Sequence, residues 1–416
     1  MQSSCLLKII EIHLLSILEE KINFKPCQFG FIKNMSTNEA CLLLKETVYS
    51  YINENSIVYS NFIDLSKAFE LVDHKILINK LRKYQIPPDI IRIIENYLKM
   101  QSARVRFNNT HGQYSRLGRG VRQGGILSPF LFKLYINDML SDICEMNVGC
   151  KFGLTRINIL AYADDLVLLA DSEKHLNILY TRLLFQINNL NLKINVNKSK
   201  IMLFYKRNKP LHYDYLCLNG DQIQVVDQYK YLGNMLTFNL DDEADVKLKL
   251  NSFYSSFNSV YRSFSGLNLQ TILHLFISYC SPQFGLALWD SPGILNKHYF
   301  KTFEIAYNNA TKQMLGCPRS ASSHLAAEAC ELLLLRHLLA VTQAKYLKKF
   351  KECKNSIFVL NNYFFKSGQF FKHIFNNFYY NYNMDIFKNS LDVALSRIDW
   401  VQSHEPRSRY CHYFNM

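Results

Sequence analysis

"AYADDLVLLA", residues 161–170, sets two adjacent acids, Asp164 and Asp165, inside an otherwise apolar run. The flanking residues read as a strand, a tight turn and a second strand, a setting in which an unpaired carboxylate is costly or is forced to protonate. A third acid, Asp64, closes "SIVYSNFIDLS" (56–66), whose alternation and β-branched content read as another strand. A lone aspartate at a turn ordinarily bonds its own backbone. Three carboxylates gathered at strand ends repel one another, and the usual way to keep them ionised is a divalent cation between them. Oxygen-only ligands suit Mg²⁺, which keeps its other positions for water and phosphate. Two Mg²⁺ ions at such a site serve in-line phosphoryl transfer, so a strand's 3′-hydroxyl and a nucleoside triphosphate are the natural reactants.

Working outward, the chain has 416 residues, of which 49% are hydrophobic and 14% aromatic, enough for two or three subdomains and incompatible with a disordered chain. Its 48 basic and 34 acidic residues leave a formal charge of +14, which favours a polyanionic partner such as nucleic acid over an acidic membrane surface. The 11 cysteines are scattered, odd in number and never spaced CxxC, so neither a disulfide framework nor a zinc site is indicated, and a reducing intracellular compartment, nuclear or cytoplasmic, is expected. The opening "MQSSCLLKIIEIHLLSILEEKI" is interrupted by Lys8, Glu11, Glu19 and Glu20 and reads as an amphipathic helix rather than a signal peptide. No other apolar stretch is long enough to span a bilayer, and no membrane role is expected.

The punctuation divides the rest. Ser36 or Thr37 caps a helix through "NEACLLLKETVYSYINE", with Glu39 placed for a capping box if Ser36 is the cap. Asp73 caps "HKILINKLRKY", and Pro87 and Pro88 close that helix and open the next. Residues 103–120 turn basic and β-like, carrying Arg104, Arg106, Arg116 and Arg119 across a hairpin. "VRQGGILSPFLFKLYINDML" leads from a glycine pair into a helix with Ser128 as cap and Pro129 at its first position. "HLNILYTRLLFQINNLNL" reads as helix, "KINVNKSKIMLF" as a basic strand and "YKYLGNMLT" as a short hairpin. Residues 242–350 are almost wholly helical in pattern, and the Asn/Phe/Tyr-rich end has no period.

The succession "FIDLSKAFELVDH", "RGVRQGGILSPFLFKLYIND", "AYADDLVLL", "LNLKINVNKSKIMLF" and "YKYLGNML" resembles the ordered palm motifs of reverse transcriptases of LINE-type (non-LTR) retrotransposons, and "QFGFIKNMSTNEA" resembles the fingers motif that precedes them. The likeness covers residues 1–236. It implies an α+β right-hand polymerase of fingers, palm and thumb, with a ferredoxin-like antiparallel palm and a helical thumb. It implies Asp64 and Asp164 as metal-bridging carboxylates, Asp165 as the neighbouring acid, and the Leu65 carbonyl as a ligand of the second metal. Phe69 falls at the steric-gate position, five residues after Asp64, where a ring under the sugar leaves no room for a 2′-hydroxyl; taken alone, it reads as core, and the motif around it turns the reading to the gate. Gln123, Gly124 and Gly125 resemble the segment beside the incoming nucleotide, where glycines permit close backbone approach. Lys198 and Lys200 stand where the family carries a basic residue that can donate a proton to pyrophosphate, although two strand lysines are also an ordinary solvated pair.

The sequence departs from the family where an arginine is usual and Ile32 stands; Lys33 is the residue placed to hold the triphosphate in its stead, and the two cations are not equivalent at phosphates. Upstream fingers basics, an apurinic-type endonuclease and a zinc knuckle are not seen, so a fragment of a mobile-element polyprotein is expected. The organisation read from these signals is a truncated fingers region (1–55), a palm (56–240), a thumb-like region (241–350) and a C-terminal extension (351–416). In the thumb-like part Lys312 and Arg319 are candidates for backbone contacts. The expected activity is RNA-directed DNA synthesis from a DNA 3′-end, using an RNA template, a DNA primer or target, deoxynucleoside triphosphates and Mg²⁺. The rival is a silent remnant that only binds nucleic acid; an intron-maturase role is disfavoured for want of a recognisable maturase segment.

Overall fold

The structure, a computed structural model, describes residues 2–32, 35–153, 155–206, 214–280, 286–289 and 291–351. It divides into two compact units, Met1–Tyr229 and a second beginning at Lys230. The chain opens with α1 (Gln2–Lys21) and α2 (Thr37–Ile52). Ser36 is the cap of α2: its hydroxyl accepts from Asn38 N–H while the Glu39 carboxylate accepts from the Ser36 backbone, the predicted capping box. Next come β1 (Val58–Asp64), α3 (His74–Lys83), capped by Asp73, and α4 (Pro88–Lys99). The basic hairpin follows as two short ladders, β2 (Ser102–Ala103) with β5 (Ser115–Arg116) at its base and β3 (Arg106–Phe107) with β4 (Thr110–His111) at its tip.

Helix α5 (Ser128–Cys144) starts one residue earlier than expected: Leu127 is the cap, without a side-chain bond, and the Ser128 hydroxyl instead donates to the Arg122 carbonyl, tightening the preceding loop. The strands β6 (Cys150–Phe152) and β7 (Thr155–Ile157) form a separate ladder ahead of the hairpin β8 (Ile159–Tyr162) and β9 (Asp165–Ala170). Then come α6 (Glu173–Asn189), β10 (Lys200–Phe204), β11 (Tyr215–Leu218) and β12 (Asp221–Val225). The basic strand is shorter than its alternation suggests, since residues 195–199 turn back on themselves through bonds to Asn195.

One six-stranded sheet organises this unit, in the order β11-β12-β10-β1-β9-β8. Its neighbours are antiparallel except β10 and β12, which run parallel. Strand β1 lies in the middle, almost wholly buried, and α2, α5 and α6 pack against it and its neighbours. Helix α1 and the residue after it bury the stripe Glu11, Leu14, Leu18 and Ile22, so one of the charges that interrupt the opening apolar run lies on the packed face.

In the second unit, β13 (Gln228–Tyr231), within which the division falls, is followed by β14 (Asn234–Thr237), then α7 (Glu243–Phe264), α8 (Leu269–Leu275), the short α9 (Ser291–Ile294), α10 (His298–Met314), α11 (Ser323–Ala329) and α12 (Leu335–Lys351). Its core is aromatic, built on Phe253, Phe257, Phe276, Phe300, Phe303 and Trp289. The buried Asp245 carboxylate accepts from the Trp289 indole at 2.7 Å and from Met235 N–H at 2.8 Å, which satisfies an acid that would otherwise be expensive to bury. The aromatic C-terminal extension lies outside the described residues. Among the described residues, no helix is long and apolar enough to cross a membrane.

Candidate active site

The register of the central sheet brings the three acids together. Asp64 ends β1 directly opposite Asp165 at the start of β9, and Asp164 lies in the two-residue turn between β8 and β9. The other turn residue, Ala163, takes a left-handed φ of 56°, which a non-glycine residue adopts only under constraint. That constraint is visible: a Cβ on Gly30 would lie 2.4 Å from the Ala163 nitrogen, so the loop after α1 can press on this turn only because residue 30 is glycine. The same loop is tied to β8 by Phe29 N–H to the Ala161 carbonyl at 2.7 Å and Ala161 N–H to the Cys27 carbonyl at 2.9 Å.

The acids feel one another. The Asp165 carboxyl is pushed up to about 6, first by loss of water around it and then by the charges of Asp164 and Asp64; its residue keeps exposed surface, so the carboxylate is hemmed in rather than sealed. Asp164 is also raised, chiefly by burial and further by Asp64. Tyr229, whose ring stacks on Phe62 at 4.4 Å, has its phenol raised by burial and by Asp165 and Asp64, which places it on the acids' side of the sheet. Among the described residues, no three His, Cys, Asp or Glu side chains converge as a ready-made metal cage. The donor set nevertheless fits Mg²⁺, which is commonly held by one or two carboxylates with substrate phosphates completing the shell.

The remaining motifs are laced to this edge. Asn195 N–H donates to the Asp64 carbonyl at 2.8 Å, Ser66 N–H to the Lys193 carbonyl at 2.8 Å, and Leu65 bridges to Ile194, so Leu65 is held beside the acids. Lys198 is exposed on this turn, while the Lys200 ammonium folds back onto the Asn197 carbonyl. Phe69 lies in a turn, not a helix: Lys67 there takes φ 48°, and the half-buried ring stacks on Phe132 at 4.6 Å. Its carbonyl accepts from Val121 N–H, and Gly120, at φ 91°, packs on Glu70 where a Cβ would clash. The glycine loop is therefore fastened to the segment after Asp64. Gln123 and Gly124 (φ 76°) are exposed, and Gln123 Nε2 lies 3.5 Å from Glu70.

Two residues carry roles that their sequence setting does not reveal. Glu11 of α1 accepts from Ile126 N–H at 3.0 Å and from the Tyr97 hydroxyl at 2.8 Å, so the first helix holds the end of the glycine loop. Lys133 of α5 is 3% exposed; its ammonium donates to the Phe31 carbonyl at 2.8 Å and lies 4.4 Å above the Phe24 ring and 5.5 Å from Phe130. Burial lowers it to about 8, against a smaller opposing pull from Glu19. A lysine within "PFLFKLYI" and an acid in line with an apolar stripe are the signals the sequence offers for them. Lys33 lies outside the described residues, and Gly125 is packed among Ser128, Tyr97 and Arg122. In the second unit Lys312 is buried, its ammonium bound to the Arg319 carbonyl, and only Arg319 is exposed.

Known proteins similar to this chain include retrotransposon enzymes. The Pol polyprotein of the type-1 retrotransposable element R2 of Nasonia vitripennis is 29% identical over 201 residues, covering 46% of this chain and 19% of that protein. The probable RNA-directed DNA polymerase from transposon BS of Drosophila melanogaster is 24% identical over 322 residues, covering 75% and 35%. The chain thus spans well under half the length of these curated relatives. An apo telomerase structure from Candida tropicalis aligns at 10% identity with TM-score 0.42, over 88% of this chain and 60% of that one. Residues 1–236 match the family described as reverse transcriptase (RNA-dependent DNA polymerase), and with more than half its length matched the chain belongs to that family.

Proposed function

We propose that this chain is the polymerase portion of a non-LTR retrotransposon protein and extends a DNA 3′-end on an RNA template from deoxynucleoside triphosphates. The observation that carries the reading is the register that sets Asp64 against Asp165 with Asp164 in the adjoining turn. Asp64, Asp164 and the Leu65 carbonyl would hold two Mg²⁺ ions, with Asp165 adjacent; the metal supplies charge neutralisation at the attacking and leaving oxygens. The protein's own groups do the placing. Phe69, its ring stacked on Phe132, is the side chain that would bar a 2′-hydroxyl. Gln123 and Gly124 border the nucleotide, Lys33 and Lys198 meet its phosphates, and Lys198 is the candidate proton donor to pyrophosphate. A reducing intracellular setting is part of this reading, on the scattered cysteines of the sequence.

Primer extension on an RNA template with Mg²⁺ tests the reading. Template-dependent addition of deoxynucleotides is expected. Firm duplex binding without any addition would instead make the chain a nucleic-acid-binding remnant.

A further inference from the structure

The basic hairpin has two unlike faces. Alternation sends Ala103, Val105 and Phe107 to one side and Arg104 and Arg106 to the other. Across the ladder, Phe107 pairs with Thr110, and Gly112 N–H bonds the Val105 carbonyl, so the apolar side chains stand over small neighbours. On the opposite face Arg106 pairs with His111, Arg104 lies 4.8 Å over the Tyr114 ring and Arg116 pairs with Ser102. Val105 and Phe107 are 75% and 72% exposed, an unusual degree for apolar side chains set side by side.

This apolar face does not end at the hairpin base. Ala103 lines a cavity of about 890 Å³ whose wall continues through Met100, Val121, Arg119 and Arg122 to Gln123. From Phe107 to Ala103 the track runs roughly 13 Å at strand spacing, and the cavity carries it on to the residue beside the proposed nucleotide site. Apolar surface for base faces, Arg119 and Arg122 alongside Glu11 and Glu70 in the cavity, arginines behind the hairpin, and an end beside the proposed nucleotide site together describe one kind of occupant. Bases that are paired hide their faces in the stack; only an unpaired strand can offer them.

Resting on the polymerase reading, we propose that the Phe107–Val105–Ala103 face and the cavity beyond it seat the unpaired template strand ahead of the growing 3′-end. Phe107 stacks a base, Arg119 and Arg122 meet the phosphates in the cavity, and the arginines of the opposite face add sequence-independent attraction.

The test measures binding by fluorescence anisotropy, without nucleotides, to a primer–template with an unpaired 5′ template extension, to one with a 3′ extension and to a blunt duplex. Val105→Ser/Phe107→Ala alters exposed residues and leaves the fold intact. It should weaken binding to the 5′-extended substrate about tenfold and leave the other two unchanged, whereas Arg104→Ala/Arg106→Ala should weaken all three. An unchanged affinity for the 5′ extension, or an equal loss on the blunt duplex, overturns the proposal. Since no catalysis is read, the track can stand in a chain that extends no primer, and it can fall in one that does.

Discussion

Replacing Lys133 with methionine keeps a long side chain in the aromatic box and removes the one ionisable group there that binds the Phe31 carbonyl. The ammonium ordinarily titrates near 10.5 and here near 8, so between those pH values the unfolded chain holds a proton that the folded chain has released. Stability must therefore rise with pH across that window, by about 3 kcal/mol in all from this group. Below pH 8 the charge is buried and opposes folding. Three consequences of the substitution at pH 7 nearly offset. The desolvation penalty disappears, the Phe31 carbonyl is deprived of its donor at about 1–3 kcal/mol, and the attraction between cation and rings vanishes at up to about 2 kcal/mol. A single-pH measurement thus discriminates little, but the slope does. Urea unfolding of parent and Lys133→Met from pH 7 to 10.5, under reducing conditions, should show the parent gaining about 3 kcal/mol relative to the variant. Tyrosines and cysteines common to both cancel in the difference. Parallel profiles would refute the buried charge.

Asp64→Asn or Asp164→Asn should abolish primer extension with duplex affinity nearly intact, and Asp165→Asn should keep a residue of activity; full extension by Asp164→Asn would mean the acids are misassigned. Phe69→Ala should raise ribonucleotide use relative to deoxyribonucleotide use by roughly a hundredfold, read by single-nucleotide incorporation; an active variant with unchanged selectivity returns the ring to its packing role on Phe132. Arg106→Ala/Arg116→Ala should flatten the dependence of duplex affinity on salt, reducing the log–log slope by about 0.9 for each phosphate that the variant no longer neutralises. Glu11→Ala, which leaves Ile126 N–H and the Tyr97 hydroxyl without their acceptor, should raise KM for nucleotide more than it lowers kcat, and Glu11→Gln should restore most of the loss; equal kinetics for both variants and the parent would detach α1 from the loop.

Local signals in the sequence are the most legible because local chemistry decides them. The Ser36/Glu39 box, the Asp73 cap, the Pro88 helix start and the strand–turn–strand around Asp164 each depend on neighbours a few residues away. The acids of the candidate site are legible for the same reason, together with the order of the motifs around them. Ser128 has the sequence setting of a cap but does not act as one, because its hydroxyl reaches back to Arg122. The basic strand begins only at Lys200 because the turn at Asn195 is pinned by Asp64, far off in the chain. Glu11 and Lys133 are harder to read for a deeper reason: their partners, Ile126 and Phe31, stand more than 100 residues away, and the apolar residues around each hint at burial without announcing what the buried charge will meet.

The pairing of Asp64 with Asp165 also sets what kinds of genetic change this chain can survive. Side chains alternate along a strand, so one residue inserted into or deleted from β1 upstream of Asp64 slides the ladder by one and turns every side chain to the opposite face. Asp64 would then yield its place to Ile63 or Leu65, both buried, and the core would have to accept a carboxylate. The turn at 163–164 has no slack either, because Gly30 is pressed against it. The exposed tip of the basic hairpin, at Asn108 and Asn109, has no such coupling. Codon gains and losses should therefore accumulate at that tip in surviving copies of such a sequence, while β1 and β9 change by substitution alone.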